Sequence, residues 1–364
     1  MTEKALRWGI VGCGHISSDF MRAVLRNSQR PNQPLQTPNK EPRNLSRSIS
    51  RAKVPILIDP KRTAHIRSFS MTPKLTKLLA MKKQISDVVY VGVLNHQHKD
   101  TVLGALEAGK HVLVEKPMGL NASEVRQMMA KAREKKRFLM EAYWTRFFPA
   151  WQTVHQQLSE IGGAQVILCD FGYRVRDAVT KTELAWGGGY LLATGCYPFM
   201  IASWMFGGER PIRIKASGAI GEKKTDLWAG ITLEYSNNRV ANIFYTGLIG
   251  TPCQCSVSGP KGKFKFPDQF WCPSKLVEEV EGSESNVLHF PVPDVKNASD
   301  YHFPNSGGLS YEADHVYDCL KNGQLESETM SLDESVLLAE IFDEVRQQIG
   351  VKYPQDNETL QGGK

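Results

Sequence analysis

No stretch of the chain reaches the 18 consecutive apolar residues of a membrane-spanning helix, so no membrane span is expected. The longest uncharged run, Gly187 to Gly208, is broken by Thr194, Gly195, Pro198 and Ser203 and reads as buried protein interior. The start, MTEKALRWGIVGCG, lacks a basic n-region and an apolar h-region, so no secretory leader is expected. The seven cysteines are odd in number and scattered, which fits neither a zinc-ligand set nor a disulfide framework. Cys253 and Cys255, two apart, are expected on one face of a strand. Reduced thiols and a cytoplasmic location follow as the default. Two histidines, His96 and His98, with no nearby carboxylate or cysteine are a poor ligand set, so no metal is expected.

Glycine is absent from one long stretch, residues 26 to 83. That stretch holds seven of the 19 prolines, and 14 lysines and arginines against Glu41 and Asp59 alone. The formal net charge of +7 therefore arises there, and the rest of the chain is net acidic. The segment lacks interleaved aromatics and any recognisable nucleic-acid-binding module, so no nucleic-acid partner is expected. Four prolines between Pro31 and Pro42 and little apolar surface predict an extended or mobile chain over 26–53.

What remains has a clear rhythm. Leu6 to Val11, Asp87 to Val93, His111 to Val114 and Phe138 to Tyr143 read as short buried strands. Helical patterns separate them: Ile16, Phe20, Ala23 and Val24 on one face, then Thr101 to Ala108 and Ser123 to Lys136. Strand alternating with helix predicts a parallel sheet covered on both faces. After Trp144 the pattern changes to strands at Val166–Phe171, Ile212–Ser217, Ala229–Tyr235, Arg239–Tyr245 and Cys253–Ser258, an antiparallel set. Helices at Tyr311–Lys321 and Leu332–Ile349 close the chain, the second opened by a capping box of Ser331 and Glu334. The expected fold is α/β: a Rossmann domain over 1–142, atypical at 26–83, a domain with a large open, mostly antiparallel sheet over 143–352, and a tail over 353–364.

Three constellations could carry chemistry. Gly12-Cys13-Gly14-His15-Ile16-Ser17 lies between a buried strand and an amphipathic helix, where glycines let backbone approach a pyrophosphate resting on the helix N-terminus. No acidic residue follows at the spacing that binds NAD ribose hydroxyls; Arg43 and Arg47 lie slightly beyond and would suit the 2′-phosphate of NADP. Glu115-Lys116-Pro117 ends a parallel strand, the edge at which ligands bind in open α/β sheets. Finally, Trp186 to Pro198 places Tyr197 after three glycines in an uncharged run. It is either a proton carrier next to a cation or a core tyrosine with a satisfied hydroxyl.

Seven segments resemble the glucose–fructose oxidoreductase and inositol dehydrogenase family, and within it the dimeric dihydrodiol dehydrogenase branch, whose members also act as NADP-dependent D-xylose dehydrogenases. They are LRWGIVGCGHISSDF (6–20), VEKPMGLNASEV (114–125), FLMEAYWTRFFPA (138–150), WGGGYLLATGCYPF (186–199), FWCPSKL (270–276), SYEADHV (310–316) and EVRQQIGVKYPQD (344–356). The resemblance implies a Rossmann domain followed by an open-sheet domain. Its nucleotide site matches Gly12, Gly14, His15, Ile16, Glu115 and Lys116. It also implies Lys116 beside nicotinamide and substrate hydroxyl, Tyr197 as proton carrier, Trp144 and Phe171 in the substrate pocket, and a homodimer through the open sheet face near Trp271.

The chain departs from the branch at three places. Ala193 stands where the branch has an aspartate, and Gln165 where an arginine is expected. Arg30 to Pro38, where the second Rossmann strand should run, cannot sit in a central strand. Either the fold departs there or the segment derives from a mis-spliced or mispredicted exon. The expected function is NADP-dependent oxidation of a cyclic diol or pyranose such as D-xylose. The alternative is a catalytically impaired, dimeric binding protein.

Overall fold

The protein was described from a computed structural model, which covers residues 6–12, 14–27, 86–174 and 179–356. Arg43, Arg47 and Cys13, and the expectations for residues 28–85, lie outside the described residues.

Four strands, β1 (Trp8–Val11), β2 (Val88–Val91), β3 (His111–Glu115) and β4 (Leu139–Ala142), form one sheet in that order, every pair parallel. Both faces are covered, so the strands carry apolar side chains at successive positions instead of alternating; all four residues of β2 and of β4 are buried. Helices α1 (His15–Asn27), α2 (His98–Glu107) and α3 (Ala122–Lys135) accompany the sheet. Phe20, Ala23 and Val24 form the buried stripe of α1. This helix runs two residues into the stretch expected to be atypical, and Arg26 is paired with Asp294 and Asp300.

The chain then passes through a single turn at Trp144–Phe147, helix α4 (Pro149–Gln156) and an eight-stranded sheet. Its strands are β5 (Val166–Gly172), β6 (Arg213–Ile220), β7 (Asp226–Glu234), β8 (Val240–Thr246), β9 (Cys255–Gly259), β10 (Gly262–Phe266), β11 (Lys275–Val280) and β12 (Asn286–His289), in the order β12-β11-β10-β9-β5-β8-β7-β6. Every pair is antiparallel except β5 and β8, which run parallel. Strands β10 to β12 were not legible in the sequence. Segments such as GKFKF and KLVEEV carry too much charge to read as core, although Phe264, Phe266 and Leu276 within them are fully buried. Cys253 was expected inside a strand. It instead precedes β9 with φ of 55°, and its amide is bound by Asp170.

Between β5 and β6 lie a short helix α5 (Val179–Thr182), a wide π-helical turn (Leu191–Gly195) and helix α6 (Cys196–Met205). All ten residues of α6 are buried, so the uncharged run is protein interior. The chain closes with α7 (Leu309–Lys321) and α8 (Leu332–Ile349). Helix α8 packs on both β6 and α3 and so joins the two sheets. Only half of the expected capping box forms. Ser331 accepts the Glu334 amide, but the Glu334 carboxylate reaches the buried Arg146 and the Ser203 hydroxyl. The expected tail begins later than residue 353. Tyr353 is fully buried, with its hydroxyl on the Gly188 carbonyl, and Asp356 pairs with Arg346.

Candidate active site

The phosphate-loop motif takes the form its glycines suggest. Gly12 has φ of 117°, and a side chain there would run into the Gly92 carbonyl at the end of β2. Ser17, in place of the third glycine, donates to that same carbonyl at 3.2 Å and ties α1 to β2. Gly92 was missed in the sequence, although a glycine closing a buried strand is a signal of close backbone approach. A Cβ on Gly14 would meet nothing, so the helix N-terminus opens into free space. Its backbone amides fit a dinucleotide pyrophosphate. The His15 ring stacks on His302 with centroids 4.1 Å apart, and the His302 and Phe303 amides bind the buried Asp19 on α1. The second domain thus touches the phosphate loop. Ile16 is half-buried beside it.

Strand β3 delivers Glu115 and Lys116 to the carboxyl edge of the parallel sheet. Glu115 is turned into the core and accepts the Tyr90 hydroxyl at 2.5 Å; burial pushes its carboxyl above the usual range. Lys116 projects the other way. Its Nζ donates to the Ala193 carbonyl at 2.6 Å and lies 4.7 Å from the centre of the Tyr197 ring. The wide turn holding Ala193 is fixed by Asp226, whose Oδ2 accepts the Tyr190 and Leu191 amides at 2.8 and 2.6 Å. One turn on, the Tyr197 hydroxyl accepts the Trp144 indole N–H at 3.1 Å. Phe171 lies 5.8 Å from the Tyr197 ring and stacks on Trp271 at 4.4 Å.

Lys116, Tyr197, Trp144 and Phe171 therefore meet in one place, as the sequence led us to expect. Two details differ. Lys116 was expected to lower the tyrosine pKa. Burial instead raises it well above the ordinary value, with Cys196 and Glu115 adding to the rise, while the lysine ammonium faces the ring and the Ala193 carbonyl. Trp271 was expected at the open sheet face. Phe171 shares the buried face of β5 with Ile167 and Cys169, so its partner Trp271 lies on the helix-covered side.

His98 is also built into the site. Its two ring nitrogens lie 2.7 and 3.2 Å from the Pro117 and Val93 carbonyls, and burial pulls its pKa down to about 4. The ring is neutral at ordinary pH and carries one N–H, so it donates to one of these two carbonyls and braces the loops flanking Lys116. Among the described residues no cluster of three or more histidine, cysteine, aspartate or glutamate side chains could hold a metal, and no helix is long and apolar enough to cross a membrane.

A parallel sheet with a glycine-bearing phosphate loop, joined to an open-sheet domain that supplies a tyrosine against a strand-end lysine, defines a dinucleotide-dependent oxidoreductase. The chain belongs to the Gfo/Idh/MocA oxidoreductase family: residues 6–143 match its NAD-binding Rossmann-fold model and 151–265 a C-terminal domain model of the same family. It is 38% identical over 354 residues to trans-1,2-dihydrobenzene-1,2-diol dehydrogenase of Sus scrofa, and equally to that of Homo sapiens, covering 97% of this chain and 99% of each relative. It shares its fold with levoglucosan dehydrogenase solved with NADH and levoglucosan (TM-score 0.72, 15% identical, 97% and 100% of the two chains covered). The same holds for an aldose–aldose oxidoreductase from Caulobacter crescentus (TM-score 0.70, 19% identical, 95% and 97% covered).

Proposed function

We propose that this oxidoreductase is an NADP-dependent dehydrogenase that oxidises a secondary hydroxyl of a cyclic diol or a pyranose, of the trans-dihydrodiol or D-xylose type. The observation that carries the reading is the convergence of Lys116, Tyr197 and Trp144 at the carboxyl edge of the parallel sheet. The nicotinamide, when bound, takes up the hydride released from the hydroxyl-bearing carbon.

The chain's own residues handle the proton and the geometry. Tyr197 receives the hydroxyl proton in oxidation and returns it in reduction. Trp144 aims the phenol by donating to it, so the lone pair facing substrate is fixed. Lys116 offers its ammonium to the substrate oxygen and to the phenolate that forms, a charge in a low-dielectric pocket where it counts most. Trp144, Phe171 and Trp271 supply an apolar wall for a ring. Gly12, Gly14, His15 and Ile16 would hold the diphosphate. Arg43 and Arg47 carry the preference for NADP over NAD.

The protein acts as a cytoplasmic homodimer. The open face of the large sheet carries Leu168 and Phe244, both exposed, beside the half-buried Trp228. An apolar face of this kind is ordinarily covered in soluble proteins. The test of the whole reading is fluorescence titration with NADPH followed by turnover with trans-dihydrobenzenediol and D-xylose. Tight binding with turnover of either supports it. Tight binding without turnover favours the second reading, an impaired binding protein, for which Ala193 and the raised pKa of Tyr197 speak.

A further inference from the structure

Gly187, Gly188 and Gly189 lead into the wide turn, and a run of glycines has no preferred backbone shape of its own. Side chains from distant parts of the chain set that shape. Asn95, in the loop after β2, donates to the Gly187 carbonyl at 3.0 Å. Gln355 donates to the Ala185 carbonyl at 3.1 Å, and the Tyr353 hydroxyl to the Gly188 carbonyl at 2.8 Å. A side chain on Gly189 would strike Asp226 and lie 3.5 Å from the Tyr353 hydroxyl, so the Gly188–Gly189 peptide is packed between those two residues. The C-terminal segment 351–356 therefore grips the backbone that feeds the catalytic turn.

The Tyr353 ring is itself held from behind. The buried guanidinium of Arg346 lies 4.5 Å from its centre and pairs with Asp343 at 2.6 Å and Asp356 at 2.7 Å. Both carboxylates also reach the Rossmann domain. Asp343 accepts the Ala122 amide at 2.9 Å, and Asp356 accepts the Asn121 side-chain N–H at 3.1 Å. Asn121 and Ala122 open α3 and lie shortly after Lys116 in the same loop. Lys116 in turn donates to the Ala193 carbonyl at 2.6 Å, inside the turn that the glycines feed. The contacts form a closed circuit through both domains. It leaves the Lys116 loop at Asn121, runs through Asp356, Arg346, Tyr353 and Gly188, and returns to the Lys116 ammonium at Ala193.

We propose that Tyr353 is a positioning residue for Lys116. Its hydroxyl, aimed by Arg346, fixes the glycine run and so the place at which the Ala193 carbonyl holds the lysine ammonium over the Tyr197 ring. The effect on turnover rests on the dehydrogenase reading, to which the C-terminal segment is added as a working part. An ammonium that stabilises developing charge is useful only where it is preorganised, and a small displacement is costly in rate. Tyr353 touches neither Lys116 nor the cleft, so its action passes through the backbone of the turn.

The test compares the full chain with its Tyr353→Phe variant, which keeps the ring under Arg346 and deletes only the donor. Without cofactor, lysines are labelled briefly with trinitrobenzenesulfonate and quantified site by site by peptide mass spectrometry. Lys116 should be labelled about fivefold faster in the variant, the scale of one lost hydrogen bond, because its ammonium is released from the Ala193 carbonyl. Lys110, buried and bonded to the Ser86 carbonyl at 2.8 Å, should stay protected. If Tyr353→Phe does not fold, Asn121→Ser serves, since serine still caps α3 but loses the bond to Asp356. An unchanged Lys116 rate, or a rise at Lys110 as large as that at Lys116, would overturn the proposal, the second because it reports general loosening. Turnover of trans-dihydrobenzenediol and D-xylose with NADP⁺ is then compared. Tyr353→Phe should lower kcat about tenfold, with KM and NADPH affinity nearly unchanged. Faster Lys116 labelling in the variant with no turnover by the wild type would refute the dehydrogenase reading and leave the positioning role standing. Wild-type turnover that Tyr353→Phe leaves intact would do the reverse.

Discussion

At Tyr197 the direction of the pKa shift sets the expected pH behaviour. Because burial raises its pKa, the phenol stays protonated through neutral pH. Reduction, in which it donates, should vary little between pH 6 and 9. Oxidation, in which it must accept, should rise steadily with pH across that range. A rise that levels off below pH 8 would show that another group takes the proton. Tyr197→Phe keeps the ring and removes the hydroxyl, so turnover should fall about 10²–10⁴-fold while NADPH affinity measured by fluorescence persists. Ala193→Asp would give the Lys116 ammonium a carboxylate beside it, and should raise turnover of neutral diols. Tyr197 and Lys116 were legible because their motifs are local.

The wide turn and the helix after it are held by charges that come from far along the chain. Asp226 begins β7, yet its carboxylate binds the amides of Tyr190 and Leu191. A side chain on Gly189, whose φ is 124°, would strike that carboxylate. Bonds to a charged acceptor contribute about 1.5–3 kcal/mol each. Asp226→Ala should therefore lower the melting temperature and, by loosening the turn, reduce kcat more than it raises KM. On the other side of α6, the fully buried Arg146 pairs with Glu334 at 2.7 Å and also reaches the Thr329 and Met200 carbonyls. Glu334→Gln strands a buried guanidinium and should cost about 3–5 kcal/mol in denaturant unfolding. Replacing both with apolar residues of similar volume should cost much less. The sequence suggested only that Glu334 closes a capping box. Its actual partner lies 188 residues away, a separation no local pattern encodes.

For the whole molecule, the assembly prediction belongs to the sheet's open face. Leu168→Glu or Phe244→Glu should yield a monomer in sedimentation, whereas Trp271→Glu, which acts on the Phe171 side, should disturb the pocket. A dimer that survives both of the first changes would place the interface elsewhere. Cofactor choice is tested by replacing Arg43 and Arg47 with alanine: NADPH binding should weaken and NADH binding stay nearly constant.

The sequence by itself determined the two-part α/β architecture. Buried parallel strands leave unbroken apolar runs, amphipathic helices leave a 3.6-residue period, and glycines mark the places where backbone must come close. It also marked Gly12, Gly14, Lys116 and Tyr197 as candidates, because each sits at a strand end or a helix start, and the fold brings Lys116 and Tyr197 together. Only the tertiary structure decided that β5 and β8 run parallel, that Trp271 belongs to the pocket side, and that Tyr353 is core instead of tail. These outcomes depend on which distant segments share a dielectric and a surface. Pairing, burial and electrostatic neighbourhood of that kind are properties of the folded chain, to which residues far apart in sequence contribute together.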